Sequence, residues 1–242
     1  MVSPADSSPL SLFNHELVHC ERCPRLRQYC EEVARTKRKA YRDWVYWGKP
    51  VPSFGDEQAR VLILGLAPGA HGSNRTGRPF TGDGSGDFLY PVLCESGFAS
   101  QSKSSSRTDG MTLRDCWISA VVRCAPPDNK PERDELANCA SHLDQEIALL
   151  RHLRVVVCLG RIAFDGYLRH LARAGKINAK PAAVFAHGAE YQLGGLHLIA
   201  TFHPSLQNTN TGKLTRPMFL KIFERARILA NQHHQEHAQV LV

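Results

Sequence analysis

Cys20 and Cys23 form a CxxC pair, and far downstream Cys124 and Cys139 are separated by fourteen residues. Four thiolates can hold one metal centre when the fold brings the two pairs together. Such a donor set suits zinc or an iron–sulfur cluster, and the spacing does not choose between them. The apolar positions Leu136, Ala140, Leu143, Ile147 and Leu150 recur at helical spacing, which sets Cys139 at the edge of a buried stripe. The chain has eight cysteines, and the others read differently. Cys158 lies inside the apolar run VVVCLG and is core, as Cys94 and Cys116 are also read to be. Cys30 could stand in for one of the four.

A second concentration of chemistry begins at Gly65 with GLAPGAHGSNRTGRPFTGDGSGDFL, where nine glycines or prolines precede Asp87. A loop this rich in glycine lets backbone amides approach a planar or anionic ligand closely. It has neither the Gly-Lys-Ser/Thr ending of a nucleotide-binding P-loop nor the GxGxxG spacing of a dinucleotide site. Asp83-Gly-Ser-Gly-Asp87 begins like a calcium loop, but the twelfth position is Cys94 where a bidentate Glu is needed. What remains is a pocket with a carboxylate at Asp83, an aromatic face at Phe80 and cations at Arg75 and Arg78. The same residues also suit a plainer reading, with Phe80 in the core and Asp83 as a helix cap. A third segment, His203-Pro-Ser-Leu-Gln-Asn208, offers an imidazole, a hydroxyl and an amide, followed by Lys213 and Arg216 as candidate phosphate contacts.

These segments need elements to position them. Four apolar runs read as strands: Val61 to Leu66, Trp117 to Val122, Val155 to Leu159 and Leu196 to Phe202. Helical stretches fall between and after them, at Asp87 to Glu95, Pro131 to Leu153, Ile162 to Ala174 and Pro217 to Asn231. Strands alternating with helices predict a parallel sheet covered on both faces. In such sheets ligands bind beyond the carboxyl ends of the strands, which here are the loops starting at Gly65, Arg123, Gly160 and His203. One domain spanning 1–242 is expected, with about the first 60 residues an N-terminal elaboration. That elaboration carries a basic, aromatic stretch from Lys37 to Trp47, in which Trp44 and Trp47 are read as packing around the cysteines and the Lys and Arg side chains as phosphate contacts. The Ser-rich segment Ser100 to Gly110 reads as a mobile connector.

Composition narrows the function classes. Of 242 residues 43% are hydrophobic and 22% charged, and Lys+Arg 30 against Asp+Glu 23 leaves +7. No run approaches the roughly 20 apolar residues that span a bilayer, which excludes a helical membrane protein. The first twenty residues lack the basic and apolar regions of a secretory signal, so a reducing compartment, the cytoplasm, is expected. A basic balance favours an acidic partner such as nucleic acid.

Together these pieces resemble one family closely, the iron–sulfur uracil-DNA glycosylases of family 5, the B type. The resemblance rests on the CxxC at Cys20 and Cys23, GLAPGAHGSNRTGRPFTGD from Gly65, RCAPPDNKP from Arg123 with Cys139 after it, and HPSLQN from His203. It spans about residues 15 to 225. It implies an α/β fold, three-layer α/β/α around a four-stranded parallel sheet, and a structural [4Fe-4S] cluster on Cys20, Cys23, Cys124 and Cys139. By resemblance Asp83 is the catalytic carboxylate and Asn129 belongs to the same site. Phe80 stacks on the extruded base, the amides of Gly65, Leu66, Ala67 and Gly69 approach its polar edge, and His203 donates to the carbonyl oxygen where charge develops. Asn208 is a further candidate for base or water contact. The residue that wedges into the vacated stack is Gln207 by position, or Leu206 if the loop is shifted.

Two positions mark the B type: Ala67, where other members of the superfamily have a polar residue, and Ala120, where family 4 enzymes have a uracil-reading Asn. The implied activity is monofunctional excision of uracil, and of other deaminated bases such as hypoxanthine, from DNA in base excision repair. The implied partner is DNA, engaged by a monomer at the nucleoid. The reading from another class is a non-catalytic iron–sulfur DNA-binding protein of the same fold, which the empty position at Ala67 keeps open. A cysteine-cluster oxidoreductase would need a second cofactor site that the sequence does not offer.

Overall fold

The protein is described here by a computed structural model covering residues 8–178 and 183–238, with side chains described as far as residue 232. Helix α1 (Pro9–Leu17) opens with the Ser8 hydroxyl accepting from the Ser11 amide, and α2 (Pro24–Thr36) follows with a proline in its first turn. Then come β1 (Phe54–Gly55), β2 (Val61–Gly65), the short α3 (Ser73–Thr76), α4 (Gly84–Glu95) and β3 (Cys116–Ala120). A capping box between Glu132 and Glu135 starts α5 (Arg133–Leu149). The chain continues through β4 (Val155–Leu159), α6 (Arg161–Arg173), β5 (Glu190–Leu193), β6 (Leu196–Thr201), α7 (Leu206–Asn210) and α8 (Arg216–Ala238).

The strands form one sheet in the order β1-β3-β2-β4-β6-β5. β3, β2, β4 and β6 are mutually parallel, as the four apolar runs predict. The expected count of four is corrected to six, because β1 and β5 add antiparallel edges. β5 and β6 are joined through Gly194 and Gly195, with φ of 60° and 82°. Two consecutive positive φ values are what a tight hairpin turn of matching twist requires, and glycine adopts them without strain.

Alternation along the strands divides the core. Leu62, Leu64, Trp117, Val156 and Leu198 face one side, where they meet Leu10, Leu26, Leu143, Phe164 and Tyr167 of α1, α2, α5 and α6. Val61, Ile63, Ile118, Val157 and Ile199 face the other, against Leu89 and Leu93 of α4 and Phe219 and Phe223 of α8. The result is the expected three layers, with the α1–α2 region built into one of them. Each fully buried large side chain here contributes about 1.5–3 kcal/mol, which is why the strands read as unbroken apolar runs.

The Ser-rich segment departs from its expected mobility. Asp109 accepts from the backbone amides of Ser105, Ser106 and Met111, and Arg78 reaches both Asp109 and the buried Ser104 at 2.7 Å. The carboxylate supplies what the segment lacks in apolar surface. Those amides and the Arg78 guanidinium hold the Asp109 carboxyl well below the usual carboxylate range.

Candidate active site

The four parallel strands end on one side of the sheet, and a cavity of about 380 Å³ opens there. Its walls are the turn after β2, the end of β3 with the loop beyond it, and the loop after β6. Gly65, Leu66, Ala67, Gly69, Phe80, Asp83, Asn129 and His203, eight of the nine catalytic and base-binding residues expected from sequence, all line it. Ala120 lines it as well.

Phe80 sits at φ 51°, a left-handed conformation that is costly for an aromatic residue. The turn is held by the Phe80 amide donating to Ser73 Oγ at 3.1 Å and by the buried Tyr90 hydroxyl donating to the Pro79 carbonyl at 3.0 Å. A methyl group on Gly65 would lie 3.0 Å from the Phe80 ring, so a glycine there lets the ring lie close over the end of β2. The Phe80 and His203 rings are 6.0 Å apart at 34°.

Asp83 combines the two roles that the sequence left open. It is the N-cap of α4, with Oδ1 accepting from the Gly86 amide at 3.0 Å. Its other oxygen, Oδ2, lies against the turn, where a Cβ on Gly69 would come within 3.1 Å and one on Gly72 within 1.9 Å. Desolvation pushes this carboxyl up from its ordinary value, opposed by the Gly86 and Ser85 amides and, more weakly, by Arg75. Burial acts on His203 in the opposite direction, pushing its imidazole down to about 4. At neutral pH the ring is therefore uncharged, with one N–H to donate.

Three expectations are corrected by the structure. Asn208 does not line the cavity: its amide donates to the His203 carbonyl at 2.8 Å, which holds the histidine loop instead of a base. Arg75 and Arg78 are not cavity cations, since both are buried in the turn and bond to its carbonyls and hydroxyls. Trp44 and Trp47 pack on arginines, with Arg75 4.1 Å from the Trp44 ring centre and Arg107 4.4 Å from that of Trp47, and not around the cysteines. Lys213 and Arg216 are exposed, with Arg216 paired with Glu95 at 2.7 Å and Lys213 over the Phe202 ring, so both stay available to a phosphate. Gln207 lines the cavity, whereas Leu206 is 57% exposed beside it and packs on Gly84.

Residues 52–227, most of the chain and all of the cavity lining except Val51, match the model of the Uracil DNA glycosylase superfamily. The chain belongs to that superfamily. It is 52% identical over 219 residues to a type-5 uracil-DNA glycosylase of Thermus thermophilus, covering 90% of this chain and 97% of the relative. A type-5 uracil-DNA glycosylase of Pyrobaculum aerophilum is 43% identical over 214 residues, covering 88% and 90%. The type-4 uracil-DNA glycosylase of Sulfurisphaera tokodaii is more distant, at 28% over 208 residues, covering 83% and 84%.

In this member of the uracil DNA glycosylase superfamily a second, small cavity shares Arg123 with the first. Cys20, Cys23, Cys124 and Cys139 all line it, with Arg22, Arg27, Asn138 and His142. None of the four is in a disulfide. His142 Nε2 lies 3.3 Å from Cys20 Sγ, and the Asn138 amide donates to Cys23 Sγ at 3.8 Å. Among the described residues no three His, Cys, Asp or Glu side chains converge closely enough to hold one ion. Cys30 is outside this lining, but its thiol reaches the Cys124 thiol as well as the Ala125 carbonyl, so it stays next to the proposed ligand set; Cys116 and Cys158 are core as expected. Cys94 is only partly buried, against the α4–α8 side of the core.

Sequence reasoning missed the residue that joins the two cavities. Arg123 lines both, and its guanidinium pairs with buried Glu146, which also accepts from Trp117 Nε1 at 2.9 Å and Ser119 Oγ at 2.6 Å. A signal was present in Glu146 itself, an acidic residue next to Ile147 on the buried stripe of α5. A buried carboxylate needs partners, although Arg123, twenty-three residues away, was not singled out by spacing.

Proposed function

We propose that this chain is a monofunctional DNA glycosylase that hydrolyses the N-glycosidic bond of deoxyuridine in DNA and leaves an abasic site for base excision repair. The observation that carries this reading is the convergence of Phe80, Asp83 and His203 on one cavity of about 380 Å³. Near-full-length similarity to proteins named type-5 uracil-DNA glycosylase supports it. Chemistry on a base in duplex DNA requires the nucleotide to be turned out of the stack. Phe80 offers the turned-out base a ring face, and the Gly65–Gly69 turn offers it backbone amides. The C1′–N1 bond then breaks with its electron pair going to the base, and a water oxygen bonds to C1′ and releases a proton. Neutral His203 donates a hydrogen bond to the base oxygen that gains charge, and ionised Asp83 stabilises the cationic sugar or orients the water. Asn129, on the cavity wall beside Asp128, supplies an amide for substrate or water.

The same reading includes a [4Fe-4S] cluster, which Cys20, Cys23, Cys124 and Cys139 would hold. The donor chemistry fits: four cysteines free of disulfides line one cavity, and Arg22, Arg27 and Arg123 around it offset the negative charge of thiolates. When bound, the cluster would serve structure, tying the α1–α2 region to α5 and to the loop after β3. In the same reading the enzyme works as a monomer on nucleoid DNA in the cytoplasm. Among the described residues no helix is long and apolar enough to cross a membrane.

Ala120, on the cavity wall, leaves room for other deaminated bases, so hypoxanthine is included in the proposed substrate range. The test is single-turnover cleavage of matched duplexes containing uracil or hypoxanthine, with wild type, His203→Ala and Ala120→Asn. Alkali-sensitive nicking by wild type, slowed at least a hundredfold in His203→Ala, is the expected result. Loss of hypoxanthine cleavage in Ala120→Asn with uracil cleavage retained supports the broader range. An iron-replete wild type that binds DNA but nicks neither duplex would favour the non-catalytic reading.

A further inference from the structure

Asp83 is held in place through the residue before it. Gly82 has φ +74°, its amide donates to the Ser104 carbonyl at 3.1 Å, and its carbonyl accepts from Arg75 Nη2 at 2.7 Å. A Cβ at residue 82 would lie 2.4 Å from that Nη2. Arg75 is 3% exposed, and its Nε donates to the His71 carbonyl at 2.7 Å, so one planar guanidinium bridges both ends of the turn. Over it lie the rings of Tyr41 and Trp44, with centres 3.9 and 4.1 Å from the guanidinium carbon. Cation–π contacts of this kind are strongest where the cation is desolvated.

The segment that supplies these rings also grips α3 by its backbone. The amides of Trp47 and Gly48 donate to the carbonyls of Arg75 and Asn74 at 2.9 and 3.0 Å, and the Tyr46 hydroxyl lies 3.0 Å from His71 Nδ1. We propose that residues 41–48 form a strap that positions the Asp83 carboxylate through Arg75, so that Arg75 is a positioning residue for the reaction. The inference rests on the glycosylase reading for what Asp83 does. Around that carboxylate the charged groups are Arg75 and Asp87, the amides are those of Gly86 and Ser85, and His203 lines the same cavity. Arg75 favours the ionised carboxylate and Asp87 opposes it.

The test uses the full-length protein as isolated, with Arg75→Lys, Arg75→Gln and Trp44→Leu. Arg75→Lys keeps the charge but loses the planar fork. Trp44 is 36% exposed, so its replacement leaves the core intact and carries the test if an Arg75 variant does not fold. Two readouts are taken: the single-turnover rate on uracil duplex, and the titration midpoint of the Asp83 carboxyl by carbon-13 NMR. Expected are rates ten- to a hundredfold lower in Arg75→Lys and Trp44→Leu, with affinity for the abasic product duplex within threefold of wild type. In Arg75→Gln the Asp83 midpoint moves to higher pH. A merely structural role would lower the melting temperature while leaving the normalised rate and the midpoint unchanged, and that result overturns the proposal. The titration needs no substrate, so a wild type that releases no uracil while the midpoint still follows Arg75 would refute the glycosylase reading and leave the strap standing. An active wild type with an unmoved midpoint would refute the strap alone.

Discussion

Replacing Asp83 by asparagine separates the two roles of this carboxylate. Oδ1 caps α4 by accepting from the Gly86 amide at 3.0 Å, and Oδ2 faces the turn between Gly69 and Gly72. Asparagine caps helices about as well as aspartate, whereas alanine forfeits about 1 kcal/mol. For a chain of this size that is a drop of roughly 2–4 °C in melting temperature. The folded-state pKa of Asp83 is raised, so the folded protein binds this proton more readily than the unfolded chain. Stability therefore falls as pH rises through the window from the ordinary carboxylate value to the raised one, and the full penalty is present above it. Above that window Asp83→Asn removes the penalty and should melt no lower than wild type, and Asp83→Ala, which loses the cap as well, should melt below Asp83→Asn. Catalysis should behave oppositely, because a preorganised charge at the developing cation is worth about 3–4 kcal/mol, or two to three orders of magnitude in single-turnover rate. Asparagine before Gly84 is prone to deamidate back to aspartate, so intact mass is checked and Asp83→Ser, which also caps, is measured in parallel. Rates within tenfold of wild type in both capping variants would refute a chemical role and leave Asp83 as a cap alone.

His203→Gln should flatten the acid limb of stability. The native imidazole titrates at about 4, so between about pH 6.5 and 4 the unfolded chain binds a proton that the folded protein refuses, and stability falls as pH falls. The shift corresponds to about 3 kcal/mol, read by comparing melting curves of the two proteins at pH 7 and pH 4.5. Gly72→Ala places a methyl group where Oδ2 of Asp83 lies, at 1.9 Å, and Gly72 at φ −99° and ψ −98° is outside the regions open to alanine, so the folded fraction is measured beside the rate. Its single-turnover rate should fall at least a hundredfold, and a variant with wild-type kinetics would show that Oδ2 is free to move. Cys139→Ala should lose iron and visible absorption while Cys30→Ala keeps both, measured as iron per chain; the reverse result would put Cys30 among the ligands.

Which features were legible in the sequence follows from where their energy comes from. β2, β3, β4 and β6 are buried on both faces, so each is a continuous apolar run that can be read without knowing its neighbours. β5 is an edge strand of alternating exposed and half-buried residues, and its one local sign, the Gly194-Gly195 turn, was not read. β1 is two residues long, and its existence depends on pairing with Ile118 and Trp117. The site divides in the same way. Glycines near Asp83 and a histidine after a strand are local signals, and they marked the cavity. An arginine, by contrast, looks alike in sequence whether it faces a phosphate or a carbonyl. Arg75 and Arg78 read as ligand-facing cations because their partners were invisible: Gly82 is seven residues from Arg75, and Asp109 is thirty-one from Arg78.

The cavity opposes the charge of both groups on which its proposed chemistry depends. Desolvation raises Asp83 and lowers His203, so each is pushed toward its neutral form. For His203 this suits the task, since a neutral imidazole can donate a hydrogen bond to an oxygen that is gaining charge and needs no proton from solvent. For Asp83 it works against the task, which requires the anion, and the fold must supply the difference. The amides at the start of α4 do so directly, and Arg75 adds a weaker contribution through the turn. That requirement explains why the carboxylate doubles as a helix cap: the N-terminus of α4 is the source of N–H groups that can keep a desolvated aspartate ionised. Cap and catalyst are then one arrangement, and a substitution that spares the cap geometry while removing the charge should leave a stable, inactive protein.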